Sequence, residues 1–193
     1  MSTTEISPIT RIVDGTEVPA PGEYLLDASH SHVGFSVRHL MVSKTKGRFA
    51  EVSGTIRIAD DPLESAVEVD IPVASIDTRD ETRDGHLRSA DFFDADNHPS
   101  LRYRSTKVTP AGDRRWNVEG ELTVRGVTRP VPLEVTFEGG AKDPWGSHRI
   151  GFTALAELDR EDFGLTWNQT LETGGVLVGK QVRIDIEAEA VLQ

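Results

Sequence analysis

The chain has 193 residues and no cysteine, and its 32 Asp and Glu against 21 Lys and Arg leave a net charge of -11. That length is most simply one domain, as all-β barrels and sandwiches commonly are, with a core of useful size. The charge argues against a nucleic-acid partner and against general adsorption to an anionic membrane, while the lack of cysteine excludes disulfides, thiolate metal sites and thiol nucleophiles.

Residues 1–22 are polar and carry Pro8, Pro19 and Pro21. They read as an irregular arm, mobile at its tip, ahead of a domain over 23–193. MSTTEISPITRIVDG has neither the basic start nor the apolar centre of a secretory signal, so the cytoplasm is the expected location. No apolar run approaches the ~20 residues of a membrane span, so no integral membrane segment is expected.

Strand patterning starts at Tyr24. Val33, Phe35 and Val37 alternate with Gly34, Ser36 and Arg38. Ala50, Val52, Gly54, Ile56 and Ile58 alternate with Glu51, Ser53, Thr55 and Arg57, and Val67, Val69, Ile71 and Val73 with Glu68 and Asp70. This is the two-residue period of half-buried strands. Pro72 withholds a ladder donor and points to an edge strand or a bulge.

From Ser75 to Pro99 the alternation stops. SIDTRDETRDGHLRSADFFDADNHP is charged and helix-prone, with one His before adjacent phenylalanines and a second at its end. Such an insert is where an all-β protein places a lid or the rim of a site. Strands resume at about 101–109, 115–124, 131–138, 148–159 and 181–192, parted by Pro110-Ala111-Gly112-Asp113, Gly139-Gly140 and similar turn signals. Eight or nine strands in neighbouring order favour an antiparallel barrel or sandwich over an α/β arrangement.

Several inward positions are small. Ala188 and Ala190 share a face with Ile184 and Ile186, Ala154 and Ala156 with Phe152 and Leu158, and Gly120 with Trp116, Val118, Leu122 and Val124. An eight-stranded barrel is filled if its inward side chains are large and holds one ligand if they are small. Two outcomes therefore stay open: interdigitation with Trp116, Phe137 and Phe152, or an apolar lumen.

The motif matches are weak. Gly174-x4-Gly179-Lys180 mimics a phosphate loop, but Gln181 replaces the hydroxyl and a strand follows, so it reads as a turn. Asp162-Phe163-Gly164 lacks the companions of a kinase and reads as a turn closed by Gly164. His30 and His32 would share one side of a strand, with His39 nearby, but no ligand spacing identifies a metal and none is expected. No nucleophile elbow occurs, and Asp77, Asp80, Asp84, Asp91 and Asp94 read as a solvated acidic face.

Four ordered segments carry a resemblance. They are Asp27-x-x-His30-Ser31-x-Val33-x-Phe35-x-Val37 with His39 and Gly47-x-Phe49; then Ser75-Ile76-Asp77-Thr78 with Arg83-Asp84-x-His86-Leu87-Arg88-Ser89-x-Asp91-Phe92-Phe93-Asp94 and His98-Pro99. Gly120-x-Leu122-Thr123-Val124-x-Gly126-Val127-Thr128-Arg129-Pro130 and Asp159-Arg160-x-Asp162-Phe163-Gly164 complete the set. From about Tyr24 to the C-terminus the chain resembles the bacterial YceI-like proteins, which are polyisoprenoid-binding and lipocalin-like.

That resemblance implies an all-β fold, an extended antiparallel eight-stranded lipocalin-like barrel with short helical inserts. It implies an isoprenoid lipid ligand, a quinone or prenyl diphosphate, in an apolar tunnel, with no cofactor and a homodimeric assembly. By matching position the tunnel residues are Phe35, Val37, Phe49, Ile56, Val69, Ile71, Leu122, Phe152, Ala154 and Ile186. Those of the rim are Arg38, His39, His86, Arg88, Phe92 and Phe93. Asp77, Thr78, Asp159 and Arg160 look like structural pins at strand ends. The expected function is noncatalytic binding for carriage, storage or sensing. Two alternatives remain: an enzyme using His86 or His39 beside an Asp as acid and base, and a filled barrel serving as a scaffold for a basic partner.

Overall fold

The computed structural model describes residues 9–172 and 174–193. A short hairpin comes first, β1 (Thr10–Val13) and β2 (Thr16–Pro19), turned at Asp14 and Gly15, both with positive φ. This corrects the reading of residues 1–22 as irregular; the tip expected to be mobile, residues 1–8, lies outside the described residues.

Next in the chain come β3 (Gly22–Leu26), β4 (His32–His39), β5 (Ser43–Phe49), β6 (Ser53–Ile58), β7 (Ala66–Pro72) and β8 (Ile76–Asp77). The helix α1 (Glu81–Arg88) follows, then β9 (Ser100–Gly112), β10 (Arg115–Val124), β11 (Val127–Pro130), β12 (Leu133–Lys142), β13 (His148–Asp159) and β14 (Val178–Leu192). Together they make a closed eight-stranded antiparallel barrel.

Four of its eight staves are interrupted, one of them between β11 and β12, which both pair with β10 and part at residues 131–132. β14 pairs with β3 at Leu192↔Tyr24 and with β4 at Ile184↔Phe35, so β3 and β4 are one stave broken at Asp27–Ser31. β5 and β6 form the next, broken at residues 50–52, and β7 and β8 the third, broken at Val73–Ser75. These three breaks lie side by side. Val33↔Phe49 and Phe49↔Ile76 pair on one side of them, Leu25↔Thr55 and Ser53↔Asp70 on the other. Single hydrogen bonds cross the seam, from Asp27 N to the Glu189 carbonyl (2.8 Å) and from Ala50 N to the Ser75 carbonyl (2.9 Å).

The period-two segments became strands, with several differences, among them the unforeseen β11 and a start of β6 at Ser53 rather than Ala50. β5 was not foreseen because SKTKGRF has almost no apolar alternation; its inward Gly47 instead takes the ring of Phe35. Gly139-Gly140 is a bulge within β12 rather than a turn, with Gly139 at φ 127° and the register slipping between Phe137 and Gly139. Pro110 to Gly112 belong to β9, whose turn follows. Pro72 is the last residue of an interior stave, where the next amide, Val73 N, bonds the Pro99 carbonyl (2.9 Å).

The charged insert closes the end of the barrel at the β4–β5 turn, called here the lower end. α1 starts at Asp80, whose side chain accepts from Arg83 N (3.0 Å), and stops at Ser89. Inward, Asp84 accepts from Thr78 N (2.9 Å) and Oγ1 (2.5 Å). Phe92 is buried in the lower core with Val73, Ile76 and Phe163; the upper core gathers Tyr24, Ile58, Phe137, Ile150 and Ala190.

Candidate functional site

Between the two cores the barrel encloses a cavity of about 250 Å³. A water-sized void needs only ~10–15 Å³ in this measure, so this is more than a packing defect. Its wall is hydrocarbon. Small residues make the room: Ala154 and Ala156 on β13 and Ala188 on β14 sit beside Phe152 and Ile186.

The few polar residues along the wall are already engaged. Tyr103 Oη donates to the carbonyls of Val118 (3.3 Å) and Val131 (3.1 Å), and burial pushes its phenol pKa up, keeping it neutral. Ser31 Oγ accepts from Glu189 N (3.1 Å), and Ser65 Oγ accepts from Ala59 N (3.1 Å). Glu187 alternates with the inward Ile186 and Ala188 and so faces out. A wall of this kind cannot orient a polar substrate, but it suits an apolar chain, since an apolar cavity stays dry and takes apolar guests.

The N-terminal hairpin covers the upper end, contributing Val18 and Pro19 to the wall. Arg11 bonds the carbonyls of Ala59 (2.9 Å) and Asp60 (2.6 Å), beyond β6. Glu17 pairs with Arg114 at the β9–β10 turn, and this contact holds the Glu17 carboxyl below its usual range. Tyr24 Oη donates to the Ala20 carbonyl (2.9 Å). The hairpin is thus tied to two separate rim loops.

Of the expected tunnel residues, Phe49, Ile56, Val69, Ile71, Leu122, Phe152, Ala154 and Ile186 line the cavity. Phe35 and Val37 do not. Phe35 packs against Phe49 (5.8 Å between ring centroids) and Phe49 against Phe93 (6.1 Å), so of these three rings only Phe49 faces the cavity, with the other two packed behind it. Val37 lies further down, paired with Val182.

None of the expected rim residues lines the cavity, and they fall into two groups. Arg38 and His39 end β4, at the lower turn. His86 Nε2 is 2.9 Å from Asp91 Oδ2, and its ring meets Phe92 and Trp167 edge-on at 5.1 and 4.7 Å. Arg88 reaches the Ala74 carbonyl (3.3 Å). Beside His86 lies a separate polar cleft, lined among others by Asp91, Arg125, Thr166 and Trp167, that shares no residue with the cavity.

Sequence reasoning missed the hairpin residues Val18 and Pro19. Asp14-Gly15 between two short β-prone runs was the available signal. The pins hold strand ends as the resemblance implied. Arg160, buried, donates to the carbonyls of Gly179 (2.8 Å) and Leu165 (2.5 Å), its pKa drawn down by burial, and Asp159 accepts from Glu161 N (2.9 Å).

The histidines do not converge. His30 stands on a 3₁₀ turn, not a strand, and contacts Asp27 (2.9 Å), while His32 is 3.7 Å from Asp185. Asp27, His30 and Glu189 approach closely enough to ligate an ion, yet the Arg149 guanidinium already bonds Asp27 (2.8 Å) and Glu189 (2.5 Å). That cation supplies the positive charge a metal would bring.

Comparison with known proteins places these features. The family model described as the YceI-like domain matches residues 24–190. A UPF0312 protein of Staphylococcus aureus strain N315 is 37% identical over 169 residues, 86% of this chain and 95% of the relative. A solved YceI protein of Campylobacter jejuni is 30% identical, covering 81% of this chain and 90% of its own, with a TM-score of 0.69. A polyisoprenoid-binding domain from Saccharophagus degradans shares the fold, with a TM-score of 0.69 at 16% identity over 90% of this chain and all of its own. No helix among the described residues is long and apolar enough to cross a membrane.

Proposed function

This chain belongs to the YceI-like family, and we propose that it binds a long isoprenoid lipid inside the barrel without transforming it. The observation that carries this reading is the wall: a sizeable cavity whose polar neighbours are already satisfied within the protein or turned outward. Burial of each CH2 contributes ~0.8 kcal/mol, so a polyprenyl chain gains ample affinity from hydrocarbon alone. Small wall residues such as Ala154 and Ala156 leave space for methyl branches. The name of the fold neighbour from Saccharophagus degradans agrees with this ligand class.

The polar head of a polyprenyl quinone or prenyl diphosphate then stays outside the hydrocarbon wall, and the role is carriage, storage or sensing by a cytoplasmic homodimer. We assign ligand contact to Phe49, Ile56, Val69, Ile71, Leu122, Phe152, Ala154 and Ile186. Phe35 and Phe93 support Phe49 from behind. Acid-base chemistry by His86 is disfavoured because the His86–Asp91 pair borders the separate polar cleft.

The test uses geranylgeraniol as probe, with native mass spectrometry on the purified protein. The wild type is expected to bind it, and Ala154→Phe to bind at least about tenfold more weakly while keeping its circular dichroism. Displacing even two CH2 groups at ~0.8 kcal/mol each gives that factor. A wild type that takes up no prenyl chain, or a variant that binds equally well, overturns the proposal.

A further inference from the structure

The β4–β5 hairpin contradicts the character of the rest of the molecule. In a chain of net charge -11, positions 38–48 carry Arg38, Lys44, Lys46 and Arg48 and no acid. Register puts Arg38 directly opposite Lys44, and Lys44, Lys46 and Arg48 alternate onto that same outward face. Like charges set opposite one another are destabilising. Among the described residues, ion pairing on this face begins only at Arg48, 3.3 Å from Asp77.

The tip is apolar and open, with Met41 61% and Val42 81% exposed and Leu40 beside them. Its turn, closed by Val42 N on the His39 carbonyl (3.2 Å), has φ 52° at Leu40 and 62° at Met41. Asn and Gly are the usual occupants of such positions, and bulky apolar residues there are strained. Leu40 N is held by the Leu177 carbonyl (2.9 Å), and Val176, in the same loop, is also exposed. The nearby acid Glu161 is neutralised by Lys180 (2.7 Å).

We infer that this hairpin docks the protein on an anionic phospholipid bilayer, with Leu40, Met41 and Val42 entering the interface and Arg38, Lys44 and Lys46 meeting the headgroups. Exposed apolar side chains flanked by cations are what an interface rewards, and each Lys or Arg near it contributes roughly fivefold in affinity. The acids of the charged insert lie at the same end and oppose this, whereas repulsion from charges beyond a Debye length of ~8 Å is screened. The attachment is reversible and salt-sensitive. It rests on the hairpin alone, so it stands or falls independently of what the cavity holds.

Cosedimentation with phosphatidylcholine vesicles, with and without phosphatidylglycerol, tests it. The wild type is expected to bind only the anionic vesicles, and less as salt rises. Lys44→Glu with Lys46→Glu should lower binding at least about tenfold, at roughly fivefold per charge, and Met41→Ser with Val42→Ser should lower it several-fold. All four side chains are exposed, so thermal midpoints should hold. Failure of the wild type to bind anionic vesicles at low salt overturns the inference, as does wild-type binding by both variants. So does a tip variant that dissociates a dimer in a chain that never binds vesicles, since the tip then belongs to a second copy.

Discussion

Small residues facing into the barrel serve two ends. At Gly120 a Cβ would overlap the ring and hydroxyl of Tyr103, and at Gly47 it would overlap the ring of Phe35. Those glycines are sockets for aromatic rings, whereas Ala154, Ala156 and Ala188 open onto the cavity. The alternation made Gly120 and the three alanines legible as inward, but not Gly47, which lies on the unforeseen β5. It did not tell socket from lumen, because that depends on which residue the neighbouring strand sets alongside. Gly120→Ala is therefore expected to destabilise by about 1–3 kcal/mol through overpacking, read by urea denaturation. A variant as stable as the wild type would mean that Tyr103 can move freely, contrary to its two carbonyl bonds.

Strands whose apolar side chains mark the inward face could be read directly; those held by register or by a turn could not. β13 was recognised at its observed limits, since Phe152, Ala154, Ala156 and Leu158 mark one face. β5 has only Phe49 at its end, and its placement comes from pairing with β4. The hairpin of β1 and β2 escaped notice because each strand has four residues. It matters most for access, for it covers the upper end through two tethers. The double variant Arg11→Ala with Glu17→Ala removes both side chains that tie it down, while Val18 keeps its place in the sequence. Stopped-flow release of a fluorescent prenyl analogue should be several-fold faster in this variant than in the wild type. Unchanged release would locate the exit elsewhere.

Over the whole molecule, charge is arranged rather than merely abundant. Arg149 joins Asp27, Asp143 and Glu189, tying together the broken stave, the β12–β13 turn and β14. Hydrogen bonds from Ser29, Arg149 and His30 hold the Asp27 carboxyl well below the ordinary carboxylate range. The sign of the consequence is definite. Above the unfolded value of about 3.9 the carboxylate is ionised in both states and its stabilisation is complete. As pH falls below that value the unfolded chain takes up a proton first, so stability drops until the folded group also titrates. The thermal midpoint of the wild type should fall more steeply below about pH 4 than that of Asp27→Asn, and equal slopes would show that Asp27 carries no such linkage. The motif containing Asp27 was visible in the sequence; its partner Arg149, far along the chain, was not.

Closure of the barrel has a consequence for how the protein is made. The bonds that shut it join residues 178–192 to residues 24–39. Contacts this distant along a chain form slowly. Until β14 leaves the ribosome, β3, β4 and β13 present unpaired edges, the kind of template on which neighbouring chains aggregate. Closure of the barrel therefore waits for β14, and the nascent domain is most exposed to its neighbours just before that strand arrives.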